Sequence, residues 1–416
     1  MADGAPPETG VLGGTRVVEL GSYVAAPTTG RLLAAFGADV VKVERPGEGD
    51  ESRRWHTHGE EDSLLWRSLG RGKRSVTVDV GTPAGRDLVL DLVRHSDVVL
   101  EGFRPGTMER LGLGPEELAG VNPAVILVRV SGFGQTGPYR DRAGFGSVAE
   151  AMGGLRFLTG YPDRPPTRVG VSLGDSVAGL YAAIGTLLAL LDRQRNGAGP
   201  GTVVDGLPAE TVDVALYEAV YSLLDSVVAE YDAFGAVRQR TGSTLPGVAP
   251  SNAYQCGDGS YVVIGANADG VFARLARAMG RPDLADHPRY AGAAARAAAA
   301  DELDALVGDW VAALDQAEVM AALTAAKVPA TPIFDAADLA ADPHMAARGA
   351  HEVHEVALEG RRAAVRFPAP VPRLGHRPAH QRWAGPGLGE HTAQVLSEVL
   401  GLGPDDVARL AAEGVI

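Results

Sequence analysis

An α/β fold, with a doubly wound parallel sheet and a second, smaller domain, is the architecture that this sequence predicts. Near-continuous β-branched runs alternate with helical patterns from Thr15 to Val130, which is typical of parallel strands buried on both faces. The 416 residues exceed the size at which one hydrophobic core keeps growing, so two domains are expected. Hydrophobic residues at 45% and charged residues at 22% are the proportions of an ordinary globular protein.

Repeated βαβ units are predicted in the first part of the chain. The run Thr15–Leu20 precedes a helical pattern over Thr28–Phe36, and a second run, Ala38–Glu44, follows. The same order recurs, and the further predicted strands are Ser75–Val80, Asp97–Glu101 and Ala124–Val130. Ligands of such sheets bind beyond the carboxyl ends of the strands, so a site is expected in the loops there.

Later segments have a different composition. A β-rich run, Arg168–Asp175, leads into a long helix whose apolar residues from Val177 to Leu191 have helical spacing. Beyond the Gly and Pro residues of 242–250 we expect a hairpin over Tyr254–Gly265, Ala-rich helices over Val271–Lys327, a segment Val328–Phe334 that crosses back, and a last helix over His391–Gly401.

The charge balance narrows the range of partners. A formal charge of −14 disfavours nucleic acid and anionic membrane surfaces, so a small anionic ligand would need locally placed arginines. The N-terminus has no signal-peptide pattern, and no stretch is expected to reach the roughly 18 apolar residues of a membrane-spanning helix. We therefore expect a cytoplasmic protein. The single cysteine, Cys256, excludes an internal disulfide and is interpreted as structural.

Common cofactor and hydrolase motifs do not occur. The first predicted strand is followed by neither Gly-x-Gly-x-x-Gly nor a P-loop, which disfavours nucleotide binding of those kinds. His351 and His354 do not form a zinc-protease motif, so we expect no metal, and no Gly-x-Ser-x-Gly elbow indicates a serine hydrolase.

Asp175 is the carboxylate of greatest interest as a candidate functional residue, because it lies between a β-rich run and a strongly helical one. One interpretation is a helix N-cap, a position that Asp often occupies. The other is a covalent nucleophile that the positive end of the helix dipole keeps ionised, with Gly170 and Gly174 leaving room for a bulky thioester.

Five arginines are predicted near the carboxyl ends of strands or in the loops that follow, where they would suit a ligand rich in phosphate. They are Arg45, Arg71, Arg74, Arg104 and Arg110. The alternative for any one of them is a solvated surface arginine.

Several phrases together resemble the class III CoA-transferase family, also called the carnitine dehydratase and bile-acid-inducible protein F family, which includes formyl-CoA transferase. They extend in order over nearly the whole chain and are Phe36–Asp50, Gly72–Val76, Glu101–Leu111, Ser131–Pro138, Gly170–Asp175, Ala341–His344 and Leu388–Thr392. The region Ala143–Asp175 looks more like the branch that handles succinyl-CoA and hydroxy-dicarboxylates such as malate or citramalate.

The resemblance implies an interlocked homodimer with a Rossmann-like large domain built from both chain ends. Its parts would be residues 10–230 and 329–416, with a small α+β domain at 231–328. It also implies that CoA or acyl-CoA is a substrate, that no cofactor is tightly bound, and that the second substrate is a carboxylic acid. CoA would move through an aspartyl anhydride and an aspartyl-CoA thioester.

Site residues also follow from the resemblance. Asp175 would be the nucleophile, and Arg45 and Arg110 would contact the CoA phosphates. The other residues implied at the CoA site are Val24, Ala25, Val78, Asp79, Gly102, Phe103 and Arg104, and those implied at the acyl substrate are Phe145, Gly242 and Ser243.

Four departures from the family pattern limit these expectations. Val24 stands where oxalate-specific members have glutamine, and Phe145 stands where the family's racemases have a catalytic histidine. The segment Gly242–Gly247 lacks the glycine run of a loop that closes over the site in formyl-CoA transferases. Gly206–Asp213 looks like an insertion of eight residues between a strand and a helix. An acyl-CoA racemase and a non-catalytic CoA-binding protein remain as alternatives.

Overall fold

The computed structural model describes residues 10–55, 63–197, 203–204, 207–208, 210–358 and 361–416. Its strands are β1 (Arg16–Glu19), β2 (Asp39–Glu44), β3 (Arg74–Thr77), β4 (Val98–Glu101), β5 (Ile126–Ser131), β6 (Val203–Val204), β7 (Leu207–Pro208), β8 (Thr211–Ala215), β9 (Ser251–Gln255), β10 (Tyr261–Gly265), β11 (Ala330–Pro332), β12 (His351–Leu358) and β13 (Arg361–Pro368).

The α-helices are α1 (Ala25–Ala35), α2 (Leu64–Leu69), α3 (Pro83–Arg94), α4 (Thr107–Arg110), α5 (Pro115–Val121), α6 (Gly146–Met152), α7 (Leu155–Leu158), α8 (Leu173–Asn196), α9 (Leu216–Tyr221), α10 (Val227–Phe234), α11 (Asp269–Ala278), α12 (Ala293–Ala298), α13 (Ala300–Ala312), α14 (Gln316–Ala325), α15 (Ala336–Ala341), α16 (Pro343–Ala347), α17 (Thr392–Leu400) and α18 (Pro404–Ala412).

The predicted parallel sheet is confirmed, and it has six strands in the order β3-β2-β1-β4-β5-β8. Strand β1 pairs on both sides, with Val17 opposite Val40 of β2 and Val98 of β4. The strand order reverses on either side of β1, and in doubly wound sheets such a switch point opens a crevice at the carboxyl ends. The crevice here is bordered by the loops after β1 and β4.

Both faces of the sheet are covered, which explains the near-continuous apolar runs. Successive side chains of a strand point to opposite faces, so Val18 packs with Leu92 of α3 in one core. Its neighbour Val17 packs with Leu33 of α1 and Ala182 of α8 in the other core. Each valine or leucine buried in this way contributes about 1.5–3 kcal/mol to stability.

The sixth strand corrects the interpretation of Gly206–Asp213. Thr211–Ala215 forms β8 and pairs in parallel with β5, so Thr211 to Asp213 belong to the sheet and not to a loop. The short strands β6 and β7 pair antiparallel just before it, and Gly206 itself lies outside the described residues. Strand β8 was not predicted because the few apolar residues of this stretch have no clear strand or helix periodicity, and because its parallel partner β5 is remote in sequence.

The chain divides into two compact units. The first comprises residues 1–155, 169–228 and 349–416, and the second comprises residues 156–168 and 229–348. Within the first unit the last segment bonds back to the first: the backbone carbonyl of Pro386 accepts hydrogen bonds from Trp66 Nε1 at 2.8 Å and from Arg53 Nη1 at 3.2 Å. The domain limits given by the family resemblance stay a prediction.

The second unit contains the expected hairpin, in which β9 and β10 pair antiparallel, and the expected helices α11 to α14. The segment Val328–Phe334 does not cross back, because its strand β11 pairs with β10 in the same three-stranded sheet. Tyr254, Ile264 and Val311 belong to the core of this unit. Proline-punctuated sequence at 328–334 indicated a linker, whereas the antiparallel partner makes it a strand.

Helix α8 is longer and more apolar than the sequence analysis allowed. By length and composition alone it could cross a membrane, and 39% of its most apolar window is buried inside the protein. Its inner side, which includes Ala178, Ala182 and Thr186, is buried against the sheet and α1. We interpret it as a core helix with one apolar side left exposed.

Candidate active site

Asp175 is the third residue of α8, and Ser172 holds the N-cap position. Residues 168–172 are not in a strand, so both the expected strand and the N-cap interpretation of Asp175 are wrong. A carboxylate in the first turn still interacts favourably with the positive end of the helix dipole. The half-buried side chain of Asp175 therefore lies where a negative charge is stabilised.

A glycine and a glutamate of α6 fix the surroundings of Asp175. A Cβ atom at position 146 would overlap Oδ2 of Asp175, so only glycine allows the carboxylate to lie here. Glu150, one turn further along α6 and 1% exposed, accepts a hydrogen bond through Oε1 from the backbone N–H of Gly174 at 3.2 Å. The sequence analysis missed the roles of Gly146 and Glu150, although both lie within the segment that it compared with a family branch.

Packing of α8 on α1 brings Asp175 to the carboxyl edge of the sheet. One turn beyond Asp175, the carbonyl of Gly179 accepts a hydrogen bond from Thr29 Oγ1 at 3.1 Å. Helix α1 begins directly after β1, so its first turn lies at the switch point. Val24 and Ala25, at the start of α1, are 6% and 9% exposed. Both side chains are therefore packed inside the protein, and Ala25 shares a core with Val177 of α8.

A cavity of about 350 Å³ lies over the carboxyl ends of β1 to β4. Four of the predicted site residues line it, namely Arg45, Val78, Asp79 and Phe103. The backbone N–H of Asp79 donates a hydrogen bond to the carbonyl of Val415 at 2.7 Å. The volume lies within the range of small-molecule sites, and the position is that expected for a ligand of a doubly wound sheet.

The loop after β4 carries Gly102, Phe103 and Arg104 and leads into α4. Glu101 accepts a hydrogen bond from the backbone N–H of Phe103 at 2.7 Å. Arg129 of β5, which is 2% exposed, donates to Glu101 at 2.7 Å and to Glu109 of α4 at 2.8 Å. One buried guanidinium therefore holds both ends of the loop.

The five predicted arginines separate into two groups. Arg45, Arg104 and Arg110 are exposed, and the one ion pair among them within the described residues joins Arg45 to Glu48 at 3.3 Å. Arg110 donates to Thr107 Oγ1 at 2.8 Å.

The other two arginines correct the prediction. Arg71 is 0% exposed, and its guanidinium donates to the carbonyls of Ser68 and Pro368. Arg74 is 5% exposed, begins β3 at the amino edge, and pairs with Asp39 and Glu398. Both are buried and bond to groups of the protein, so neither joins the exposed arginines at the carboxyl edge.

Three aromatic rings lie together near the site. The ring of Tyr23 is 5.3 Å from that of Trp55 and 5.5 Å from that of Phe145, measured between centroids. Burial and the carboxylates of Glu51 and Asp50 raise the pKa of Tyr23, so its hydroxyl stays protonated near neutral pH. Phe145 is 55% exposed and directly precedes Gly146, the residue against which the Asp175 carboxylate lies. Tyr23 and Trp55 were not predicted as site residues.

Gly242 and Ser243 belong to the second unit and are described within it. Gly242 has φ of +69° and donates its backbone N–H to Gly160 at 3.0 Å. Ser243 donates its hydroxyl to Asn252, which donates in turn to Asp304 at 2.9 Å. The loop is thus tied to the core of its own unit.

Metal ligands are not brought together in the part of the chain that the structure describes, where no three His, Cys, Asp or Glu residues form a cluster. His354 Nε2 lies 3.6 Å from the carboxylate of Glu352. The described site therefore offers a half-buried carboxylate, a cavity and exposed arginines. A carboxylate can act as a covalent nucleophile, and arginines can bind an anionic substrate.

Comparison with known proteins places this arrangement. The model of CoA-transferase family III matches residues 12–392. The chain is 49% identical to the succinyl-CoA–D-citramalate CoA-transferase of Chloroflexus aurantiacus over 100% of both sequences. It is 41% identical to the β subunit of the succinyl-CoA–L-malate CoA-transferase of the same organism, over 97% of this chain and 98% of that one.

A solved structure agrees with the sequence relatives. It is a CAIB/BAIF family protein from Brucella suis, with a TM-score of 0.79, 35% identity, and coverage of 94% of this chain and 100% of that one. The family match spans the parallel sheet, the cavity and Asp175, and the relatives cover the full length. The chain therefore belongs to CoA-transferase family III and is an enzyme of that type.

Proposed function

We propose that this CoA-transferase moves CoA from succinyl-CoA to a hydroxy-dicarboxylic acid, with Asp175 as the nucleophile. The observation that carries the proposal is the half-buried Asp175 carboxylate against Gly146, at the sheet edge that also carries the cavity. The donor and acceptor classes are those named for the citramalate and malate relatives.

The reaction has two symmetrical halves. A carboxylate oxygen of Asp175 attacks the thioester carbonyl carbon, the C–S bond breaks, and a mixed anhydride and CoA thiolate form. The thiolate then attacks the Asp175 carbonyl carbon of the anhydride, which releases succinate and leaves an aspartyl-CoA thioester. The acceptor carboxylate attacks that thioester, and the expelled thiolate takes the new acyl group and frees Asp175.

The described residues support these steps in separate ways. Arg45 and Arg110 would bind the phosphates of CoA with charge-assisted hydrogen bonds. The rest of the CoA molecule would lie against Val78, Asp79, Gly102, Phe103 and Arg104. CoA that stays in the cavity between steps gives the thiolate a high effective concentration. Val24, Ala25 and Phe145 would lie near the acyl group.

The loop with Gly242 and Ser243 is proposed as a further substrate contact. Its hydrogen bonds to Gly160 and Asn252 hold it on the second unit. The glycine there supplies the left-handed backbone that the turn requires.

We also propose that the enzyme is an interlocked homodimer in the cytoplasm, with no tightly bound cofactor. The exposed side of α8 supports the dimer, because it is apolar and a patch of this kind is unusual on a protein that stays monomeric. Its residues recur at helical spacing and are Leu180, Ile184, Leu187, Leu188 and Leu191, each at least 40% exposed. Light scattering should report twice the chain mass of 43.1 kDa; a folded monomer would contradict the dimer.

A screen of substrates tests the function. The enzyme is incubated with succinyl-CoA or acetyl-CoA and a mixture of carboxylic acids, and new acyl-CoA species are identified by mass spectrometry. Citramalyl-CoA or malyl-CoA formed from succinyl-CoA supports the proposal. Deuterium uptake from heavy water at the α-carbon of an acyl-CoA, without CoA exchange, would instead indicate a racemase.

A further inference from the structure

One residue of the loop between β1 and α1 has a strained backbone. Tyr23 has φ of +68°, in the left-handed region where residues other than glycine are disfavoured. Its neighbour Ser22 lines the cavity, and Val24 precedes the first turn of α1. The loop at the mouth of the site therefore has a disfavoured conformation, which contacts from residues outside the loop must stabilise.

Two buried, charged side chains hold the loop. Lys42 Nζ donates a hydrogen bond to the backbone carbonyl of Gly21. Oδ1 of Asp50 accepts one from the backbone N–H of Tyr23 at 3.2 Å. Lys42 Nζ and Asp50 Oδ2 are 2.8 Å apart. One ion pair thus binds the chain both at the strained residue and two residues before it.

The ion pair is enclosed by protein. The side chains of Lys42 and Asp50 are 1% and 0% exposed, and Glu19 lies 3.3 Å from Lys42 Nζ. Burial lowers the pKa of Lys42, but the carboxylates of Asp50, Glu19 and Glu44 outweigh it and raise that pKa above its ordinary value. Both members stay charged, and removal of one takes from the other a close, opposite charge in a buried setting.

Composition agrees with a special role for this lysine. Lysine and arginine together number 38, yet the lysines are only Lys42, Lys73 and Lys327. An ammonium group is a compact charge with three donors, whereas a guanidinium is a wide planar fork. The three neighbours of Lys42 Nζ, which are Gly21, Glu19 and Asp50, match the three donors of an ammonium.

The loop also contacts the residue that precedes Gly146. The Tyr23 ring packs edge-on against Phe145, and Phe145 precedes Gly146, against which Asp175 lies. A change in the backbone of Tyr23 would therefore affect both a wall of the cavity at Ser22 and Phe145, the residue before Gly146.

We propose that Lys42 and Asp50 are positioning residues, which hold Tyr23 in its left-handed conformation and so shape the acyl-CoA site. The proposal rests on the proposed function, because it assigns the loop to the donor substrate. Neither side chain needs to touch the substrate. Their effect passes through the backbone of residues 21–23.

The test is a double-mutant cycle of Asp50→Asn with Tyr23→Gly, read out as the KM for succinyl-CoA. Asp50→Asn keeps an oxygen for the Tyr23 N–H but removes the charge that holds Lys42, and it should raise the donor KM about tenfold. Glycine adopts the left-handed conformation without restraint, so in the Tyr23→Gly background the same change should raise the KM less than about threefold. An equal factor in both backgrounds would overturn the proposal.

A matched control separates positioning from stability. Arg74→Met removes a buried cation from an ion pair at the opposite edge of the sheet, far from the loop. It should lower stability and leave the donor KM of the folded enzyme unchanged; a tenfold rise there would count against the proposal. Should Asp50→Asn not fold, Lys42→Gln serves in its place, since it keeps a donor for Gly21 and removes the charge.

Binding of CoA by calorimetry distinguishes this proposal from the proposed function. Wild-type enzyme that binds CoA and transfers it, together with an Asp50→Asn enzyme of unchanged donor KM, would overturn the positioning role alone. Wild-type enzyme without affinity for CoA would overturn the proposed function, and the positioning role with it.

Discussion

The two edges of the parallel sheet treat their charged side chains differently. At the amino edge Arg16 and Arg74 both bond to Asp39, at 2.9 and 2.8 Å, and Arg74 is 5% exposed. At the carboxyl edge Arg45 and Arg110 are exposed, and Arg110 forms no ion pair among the described residues. At the amino edge the fold neutralises these arginines, whereas at the carboxyl edge Arg45 has an exposed ion pair with Glu48 and Arg110 has none within the described residues.

The difference indicates which charges serve stability and which serve the ligand. A buried charge without a partner is costly, so the fold supplies one wherever a charge is enclosed. An exposed charge is solvated by water and needs no partner from the protein, so it stays available to bind a phosphate. The Lys42–Asp50 pair combines the two kinds, since it is buried and neutralised but bonds to a loop at the ligand edge.

The sharpest test of the ligand edge is Asp175→Asn. The amide cannot form an anhydride, so turnover should fall by several orders of magnitude, while the free energy of unfolding changes by less than about 1 kcal/mol. Hydroxylamine added to wild-type enzyme with succinyl-CoA should trap a hydroxamate on the Asp175 peptide. Asp192→Asn, near the other end of the same helix, is the matched control and should stay active. A fully active Asp175→Asn enzyme, checked by intact mass against deamidation, would refute the mechanism.

At the amino edge, Arg74→Met should lower the free energy of unfolding by about 3–5 kcal/mol, because it leaves the carboxylate of Asp39 buried with one partner fewer. Urea unfolding monitored by circular dichroism measures the change. Arg94→Met, at an exposed arginine paired with Asp91, should change stability by less than about 1 kcal/mol. Equal effects would remove the distinction between the edges.

For the exposed arginines, Arg110→Ala should raise the KM for the acyl-CoA donor and leave that for the acceptor acid nearly unchanged. The loss of one charge-assisted phosphate contact corresponds to about 1.5–3 kcal/mol. Steady-state kinetics with each substrate varied in turn gives both constants. If the donor KM does not move, Arg110 is not part of the CoA site.

The smallest expected effect concerns His391, whose Nδ1 accepts a hydrogen bond from the backbone N–H of Ser75. Burial, with the charge of Arg74, lowers the pKa of His391. In the unfolded chain the His391 imidazole takes up a proton near pH 6.5, whereas in the folded chain it stays neutral at that pH. The free energy of unfolding therefore falls as the pH drops below about 6.5. His391→Asn keeps an acceptor for Ser75 and should weaken this pH dependence. Urea unfolding at several pH values measures it, and an unchanged slope would contradict the assignment.

Much of the sheet could be predicted because its evidence is local. Strands β1 to β5 are short runs rich in β-branched residues, and each overlaps a predicted run. Strand β8 was missed, because its place beside β5 depends on a partner about 80 residues away in the chain. The spacing of apolar residues within a short stretch does not show which distant strand that stretch will pair with.

The candidate site shows the same limit. Asp175 could be selected from its helix start and its family phrase, but its neighbour Gly146 comes from another helix. Arg71 and Arg74 resembled Arg45 and Arg110 in sequence, since all four were predicted near the carboxyl ends of strands or in the loops that follow. Only the structure reveals that partners such as Pro368 and Glu398, almost 300 residues or more away, satisfy the first two.

The first unit cannot be completed until the ribosome has made residues 349–416, which pack back onto it. The Trp66 indole and the Arg53 guanidinium bond to Pro386, and 320 residues separate Trp66 from that partner. At about 5–20 residues per second, a ribosome takes between about 15 and 65 s to make the intervening chain. During that interval the early strands have been made, but residues 349–416, which complete the first unit, have not. The nascent chain must therefore stay soluble with an unfinished core for longer than most small domains need to fold.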